Sequence, residues 1–301
     1  MKLTFDITGK AQPDPFIFRD NETFYLYVTA ANGVEAYSTD DVFGTWHYEG
    51  IVCTVDGKTQ YWAPCIAKID GKYYLYFSCQ DNDRFQFLHV ASADTPLGPF
   101  THAKCLFDRF SIDAHVVETK AGLFLWYAED NTECDRVGTR IFVDKLLDPE
   151  TPAGLRREVI VPSFDEEIFK RNRFGDGKDW HTIEGPFWFR EGEWQYVMFS
   201  GACFENETYH IGYAATRSNE EDLTKVDFLK HTLDGKWDPT MIKNETEEGV
   251  GHHSVIKLDG QYYAIYHGRD IVRDPADKAA ERRTARICKL TVKDGIIKAE
   301  R

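Results

Sequence analysis

Ala63-Pro-Cys-Ile-Ala-Lys-Ile-Asp-Gly-Lys-Tyr-Tyr-Leu-Tyr76 holds a short apolar strand, a turn at Asp70-Gly71 and a second strand rich in alternating aromatics. Asp-Gly accepts the positive φ of a tight two-residue turn, so the stretch predicts a β-hairpin. The same plan recurs along the chain. Asp14-Pro-Phe-Ile-Phe-Arg-Asp-Asn-Glu-Thr-Phe-Tyr-Leu-Tyr27 precedes it, and Asp113-Ala-His-Val-Val-Glu-Thr-Lys-Ala-Gly-Leu-Phe-Leu-Trp126 follows. Glu184-Gly-Pro-Phe-Trp-Phe-Arg-Glu-Gly-Glu-Trp-Gln-Tyr196 and His252-His-Ser-Val-Ile-Lys-Leu-Asp-Gly-Gln-Tyr-Tyr-Ala-Ile265 complete five copies, with first positions 49, 50, 71 and 68 residues apart.

Working outward, each hairpin is followed by further strand-like runs: Val34 to Ser38, Phe87 to Ala91, Arg140 to Val143, His210 to Ala214 and Thr284 to Val292. A unit of this size cannot bury both of its faces alone, and repetition around an axis solves that problem. The pattern predicts an all-β, five-bladed β-propeller as one domain over residues 1–301. A β-sandwich is the competing architecture, but sandwiches lack a fixed long period. The two longer intervals require insertions. The clearest runs from Leu147 to Asp179, with Pro149, Pro152 and Pro162, and a long loop placed directly before Glu184 can act as a rim or lid.

Composition narrows the function classes. Hydrophobic residues at 42% and charged residues at 29% lie in the globular range. With 36 basic against 50 acidic residues, net −14, the chain is not expected to track nucleic-acid phosphates or anionic membrane surfaces. The N-terminus has no apolar core of an export signal, and Thr23 to Val34, a charge-free run of 12 residues, is too short to span a bilayer. Seven cysteines, an odd number without a Cys-Xaa-Xaa-Cys pair, fit neither a disulfide framework nor a zinc site. Together these features lead to the expectation of a cytoplasmic protein.

The innermost strand of each propeller blade faces the channel, so equivalent first positions converge on one opening. Here they are Asp14, Ala63, Asp113, Glu184 and His252. Three carboxylates and a histidine at one mouth repel and desolvate one another, an arrangement expected at a site with a chemical task. Glycoside hydrolysis needs a carboxylic acid to protonate the leaving oxygen and a carboxylate to activate water or attack the sugar. A third carboxylate can keep the acid protonated.

At these residues the sequence resembles glycoside hydrolase family 43, five-bladed propeller enzymes that attack arabinose- and xylose-containing glycans. The resemblance covers essentially the whole chain and is carried by Asp14-Pro15, Trp62-Ala63-Pro64, Ser111-Ile112-Asp113, Glu184-Gly185-Pro186 and Gly251-His252-His253-Ser254. It implies that Asp14 is the general base, Glu184 the general acid, and Asp113 the group that orients the acid and raises its pKa. The implied reaction is single displacement with inversion, for which the base and acid carboxyls stand roughly 6.5 to 9.5 Å apart.

The resemblance further implies Trp62 as a stacking platform for the sugar. His252 lies near the channel axis, where it touches substrate or, through water, helps hold a calcium ion in the channel. The chemistry itself needs no cofactor. His253 reads as a packing residue. Arg283 aligns with an arginine that approaches the sugar, with Arg282 and Arg286 as the neighbours that a one-residue slip would substitute. Tyr266-His267-Gly268-Arg269 either reaches the channel or serves the structure.

Other signals point elsewhere. Arg273-Asp274-Pro275 resembles a motif of related sucrose- and fructan-acting propellers, but the motifs expected with it are absent. A non-catalytic carbohydrate-binding propeller would be expected to lack the acid or the base, and both are present. A phosphorolytic enzyme would have to use Arg282, Arg283, Arg286 and His267 for phosphate. The expected substrate is an arabino- or xylo-oligosaccharide, and the expected activity is release of terminal α-L-arabinofuranose from short arabino-oligosaccharides. β-Xylosidase and endo-arabinanase are the alternatives. The arabinosidase is favoured because the chain ends soon after its fifth blade, without the C-terminal sandwich of many family β-xylosidases. Exo action follows from the expected cytoplasmic location, where imported oligosaccharides would be the substrate.

Overall fold

The computed structural model describes residues 1–80, 85–271 and 282–301. Among these residues there is no α-helix; three-residue 3-10 turns occur at Asp165–Glu167 and Leu223–Lys225. The five hairpins form as expected and open five blades. Blade 1 is Phe16–Asp20, Thr23–Val28, Val34–Thr39 and Thr45–Cys53, with Thr4–Phe5 added in parallel at its outer edge. Blade 2 is Thr59–Ile69, Lys72–Gln80, Gln86–Ala93 and Thr101–Cys105. Blade 3 is Ile112–Thr119, Gly122–Asn131 and Gly138–Asp148. Blade 4 is Trp180–Glu191, Trp194–Gly201, His210–Arg217 and Leu229–Lys230, and blade 5 is Glu247–Leu258, Gln261–Asp270, Thr284–Lys293 and Ile296–Glu300. Asp70-Gly71 and Asp259-Gly260 turn with both residues at positive φ, as their side chains allow.

The long insertion after Leu147 is drawn into the sheets. Arg157–Ile160 pairs antiparallel with Gly138–Asp148 as the outer strand of blade 3, and Ile168–Lys170 pairs with the start of Trp180–Glu191. Its backbone groups thereby find partners that a free lid would leave to solvent.

Among the described residues the core consists of five apolar clusters, one at each blade boundary. Tyr27, Leu75 and Phe77 join blades 1 and 2; Tyr76, Leu125 and Tyr127 join blades 2 and 3; Trp126, Val143, Val197 and Phe199 join blades 3 and 4. Tyr196, Met198 and Tyr266 join blades 4 and 5, while Leu26, Trp46, Ile265 and Ile287 close the ring between blades 5 and 1. The alternating aromatics of the hairpins supply this contact, because each ring buries a large area with few rotatable bonds.

The innermost strands of blades 2 to 5 each carry a bulge near the channel mouth. Pairing shifts between Trp62 and Cys65, Ile112 and His115, Glu184 and Phe187, and Gly251 and Ser254. Within these bulges Ala63, Asp113, Gly185 and His252 are left-handed, at φ 45°, 63°, 60° and 43°, and Asp14 in blade 1 matches them at 53°. For residues other than glycine this conformation is strained, and it re-aims side chains that a regular strand would alternate. The register corrects one detail of the sequence reading. Gly185, not Glu184, is equivalent to Asp14, Ala63, Asp113 and His252, and Glu184 stands one residue earlier, in the position of Trp62.

A bulge removes backbone N–H groups from the ladder, and they need other acceptors. The Ala63 N–H donates to Thr29 Oγ1 (2.8 Å), that of His252 to Ser200 Oγ (2.7 Å), and that of Asp14 to His267 Nδ1 (3.1 Å). Thr29, Ser200 and His267 occupy the same place in their blades, two residues beyond the partner of the first paired residue after the bulge. In blade 3 that place is Ala128, which has no acceptor; the Gly185 N–H instead donates to Asp113 Oδ2 at 2.9 Å.

Candidate active site

The bulges bring Asp14, Asp113, Glu184 and His252 together at one mouth of the channel. Donor atoms of Asp113, Glu184 and His252 all lie within 4.8 Å of one another. His252 Nδ1 is 3.4 Å from Asp14 Oδ1 and 4.0 Å from Asp113 Oδ2. Asp14 and Asp113 are buried, whereas Glu184 and His252 are half-buried and open to the mouth.

The three carboxyls sit in different fields. Burial opposes charge on Asp14, but His252, Arg283 and His267 outweigh it and hold its carboxyl well below the usual range. Asp113 is pushed well above that range, first by burial and then by the charges of Glu184 and Asp14. Glu184 is pushed up to about 7, first by burial; Asp14 and Asp130 add to the rise, while the Tyr209 hydroxyl and Arg283 oppose it. At neutral pH the site therefore offers one ionised carboxylate and a neighbouring pair that retains proton. That is the pairing required for simultaneous general base and general acid catalysis. Asp113 and Glu184 repel each other, so each makes the other harder to ionise, and Asp113 also accepts the Gly185 N–H next to Glu184.

Of the three candidate arginines, Arg283 alone enters the cluster: its Nη1 is 3.4 Å from Asp14 Oδ1 and its guanidinium lies over Phe204, 4.7 Å from the ring centroid. Arg286 turns to Glu247 (3.1 Å) and Asp270 (2.7 Å), and Arg282 is exposed. Trp62 is half-buried at the bulge position of blade 2, next to Ala63, whose N–H is tied to Thr29. His253 is buried against Phe187. Arg273-Asp274-Pro275 lies outside the described residues.

Three further residues complete the site. Thr29 Oγ1 donates to Asp14 Oδ2 at 2.5 Å while accepting the Ala63 N–H. His267, fully buried, accepts the Asp14 N–H and lies 3.3 Å from Asp14 Oδ1; burial pushes its pKa down to about 4, so it is neutral. Tyr209 donates its hydroxyl to Glu184 Oε1 at 2.7 Å. Sequence signals exist for Thr29 and His267, each placed two residues after the last residue of its hairpin copy, Tyr27 and Ile265. Tyr209 lies in the loop after Trp194–Gly201 and has no such signal.

Asp113, Glu184 and His252 could hold a cation, with Asp14 beside them, and a calcium ion there would take its remaining ligands from water. Calcium takes six to eight oxygen ligands. The cluster supplies two carboxylates and an imidazole nitrogen.

The model of the family described as glycosyl hydrolases family 43 matches residues 7–297. The chain belongs to this family. A crystal structure of a thermostable family-43 glycoside hydrolase superposes with a TM-score of 0.80 at 28% identity, covering 99% of this chain and 94% of that one. Xylosidase/arabinosidase 43A of Humicola insolens is 32% identical over 72% of this chain and 70% of its own length. An extracellular exo-α-(1→5)-L-arabinofuranosidase of Streptomyces avermitilis is 23% identical over 89% of this chain, a match spanning 57% of that relative's length.

The descriptions of named relatives also correct the expected location. The relatives from Streptomyces avermitilis, Streptomyces chartreusis and Cellvibrio japonicus are all described as extracellular, which overturns the cytoplasmic expectation. All seven cysteines are free thiols, as expected, but unbridged cysteines report bonding chemistry and not compartment. Among the described residues no helix is long and apolar enough to cross a membrane.

Proposed function

We propose that this family-43 chain is an inverting exo-glycosidase that releases terminal α-L-arabinofuranose from short arabino-oligosaccharides. The observation that carries the mechanism is the opposite displacement of two carboxyls at one mouth: Asp14 held ionised, Glu184 held up to about 7. Asp14 takes a proton from water as the water oxygen bonds to the anomeric carbon. Glu184 gives its proton to the glycosidic oxygen as the carbon–oxygen bond to the leaving sugar breaks. Arg283 and the Thr29 hydroxyl keep Asp14 charged, His267 aims it by accepting its backbone N–H, and Asp113 fixes the bulge that carries Glu184. Trp62 stacks on the sugar ring, and the reaction needs no metal.

The choice of sugar draws on the relatives, several of which are named exo-acting arabinofuranosidases. Exo action no longer draws on location, since the cytoplasmic premise has fallen. The 32% identical xylosidase/arabinosidase supports β-xylosidase activity as the second reading. Release of p-nitrophenol from the α-L-arabinofuranoside and the β-D-xyloside, run beside arabino- and xylo-oligosaccharides, separates the two. Turnover of the arabinofuranoside with single-sugar release is the expected result. Preference for the xyloside would select the second reading, and internal cleavage of arabino-oligosaccharides without either aryl activity would overturn exo action.

A further inference from the structure

Tyr209 is fully buried, and its hydroxyl has a carboxylate as partner. Burial, then the charges of Glu184 and Asp14, raise its pKa well above the usual phenol value, so it remains an O–H donor throughout the working range. Its ring stacks on His267, centroids 5.7 Å apart and planes within 9°, and His267 in turn accepts the Asp14 N–H. Directly across the strand pair from His267, the backbone at Gly251 carries no side chain and so admits the ring. A Cβ at Gly251 would lie 1.8 Å from a Tyr209 ring carbon, so no other residue fits there without displacing the ring. The ring is therefore packed on the Gly251–His267 pair of blade 5, with its hydroxyl on Glu184.

We infer that Tyr209 is the positioning residue of the acid: it fixes the Glu184 carboxyl through Oε1, leaves Oε2 to carry the proton, and stabilises the carboxylate formed when that proton departs. This rests on Glu184 being the acid, as proposed above. In the ground state a protonated carboxyl accepts a modest hydrogen bond. As the proton transfers to the leaving oxygen, negative charge grows on Glu184 and the bond becomes charge-assisted, roughly twice as strong. Stabilisation that appears only as the reaction proceeds raises kcat and leaves substrate binding alone. The groups facing this pair are Asp14, Asp113, Asp130, His252, Arg283 and His267, and all of them are retained in a Tyr209→Phe variant.

The test is Tyr209→Phe in the full chain, with kcat and KM on an arabino-oligosaccharide and the pH dependence of kcat/KM, beside Glu184→Gln. The expected result is a kcat lowered roughly tenfold with KM changed less than about twofold. The alkaline limb should move to higher pH, because removing a donor to the carboxylate raises the acid's pKa. On an aryl glycoside with a good leaving group the loss should shrink. An unchanged limb, or an equal loss on both substrates accompanied by a lower melting point, would overturn the inference and leave Tyr209 a packing residue. Should Phe at this position fail to fold, 3-fluorotyrosine keeps the ring and strengthens the donor; it should move the limb to lower pH, and no movement would overturn the inference. Full activity in Glu184→Gln would instead bring down the assignment of the acid itself.

Discussion

Asp14 and Glu184 are chemically similar side chains that the site drives in opposite directions. Asp14 meets His252 at 3.4 Å, Arg283 at 3.4 Å and the Thr29 hydroxyl at 2.5 Å, whereas Glu184 meets a single hydroxyl in a half-buried place. Two predictions belong here. Replacing either residue with alanine should lower oligosaccharide turnover by about 10² to 10⁴-fold while the protein still folds. The loss in Glu184→Ala should shrink on aryl glycosides that need little protonation, which steady-state kinetics on the two substrate types would check. The acid works only while protonated, so kcat/KM should fall as pH rises through about 7, the value to which Glu184 is pushed. Asp14 sets no acid limb in the ordinary range, because its carboxyl stays ionised well below it. The acidic residues at hairpin starts were legible in sequence. Their protonation states were not, since those depend on Arg283 and His267 arriving from about 270 and 250 residues away in the chain.

At the level of strands, the bulges decide where side chains point. The repeat was legible from turn dipeptides and alternating aromatics, both of which are local. Its phase was legible to within one residue: Glu184 aligns by type with Asp14 and Asp113, yet Gly185 holds the left-handed place. A carboxylate one position earlier reaches the same mouth because the bulge reorients both residues, an outcome that strict alternation does not anticipate. The join between blades 3 and 4 offers a test of strand geometry. Gly138 sits at φ 136° in parallel pairing with His181, and a Cβ there would lie 1.9 Å from the His181 carbonyl oxygen. Gly138→Ala should therefore destabilise the protein by about 2 to 4 kcal/mol. Chemical denaturation would show this as a lower midpoint.

Over the molecule as a whole, stability lies between blades rather than within them. Each boundary holds an apolar cluster, and the closing boundary adds a polar link in which Ser254 Oγ accepts the Ile17 N–H (3.0 Å) and donates to Pro15 O (2.9 Å). Ser254→Ala leaves a buried N–H and a buried carbonyl unpaired. It should cost about 1 to 3 kcal/mol, read as a lower melting temperature, with KM changed little. The paired segments of the insertion after Leu147 were not legible in sequence, and the cellular location was misjudged from it. The insertion's short strand segments form only because neighbouring blades offer edges to pair with. Location was inferred from charge, cysteine count and the first residues, none of which carries it.

Local chemistry thus settled the number of blades, the hairpin turns and the acidic character of the channel mouth. These follow from turn conformations and side-chain alternation that a few consecutive residues dictate. Closure of the ring decided the rest: the one-residue offset of Glu184, the tie from Tyr209 to the acid, and the hold of Thr29 and His267 on Asp14. Hydrogen bonds and fields of this kind act between side chains far apart in the chain, and they exist only once five blades have been packed around one axis.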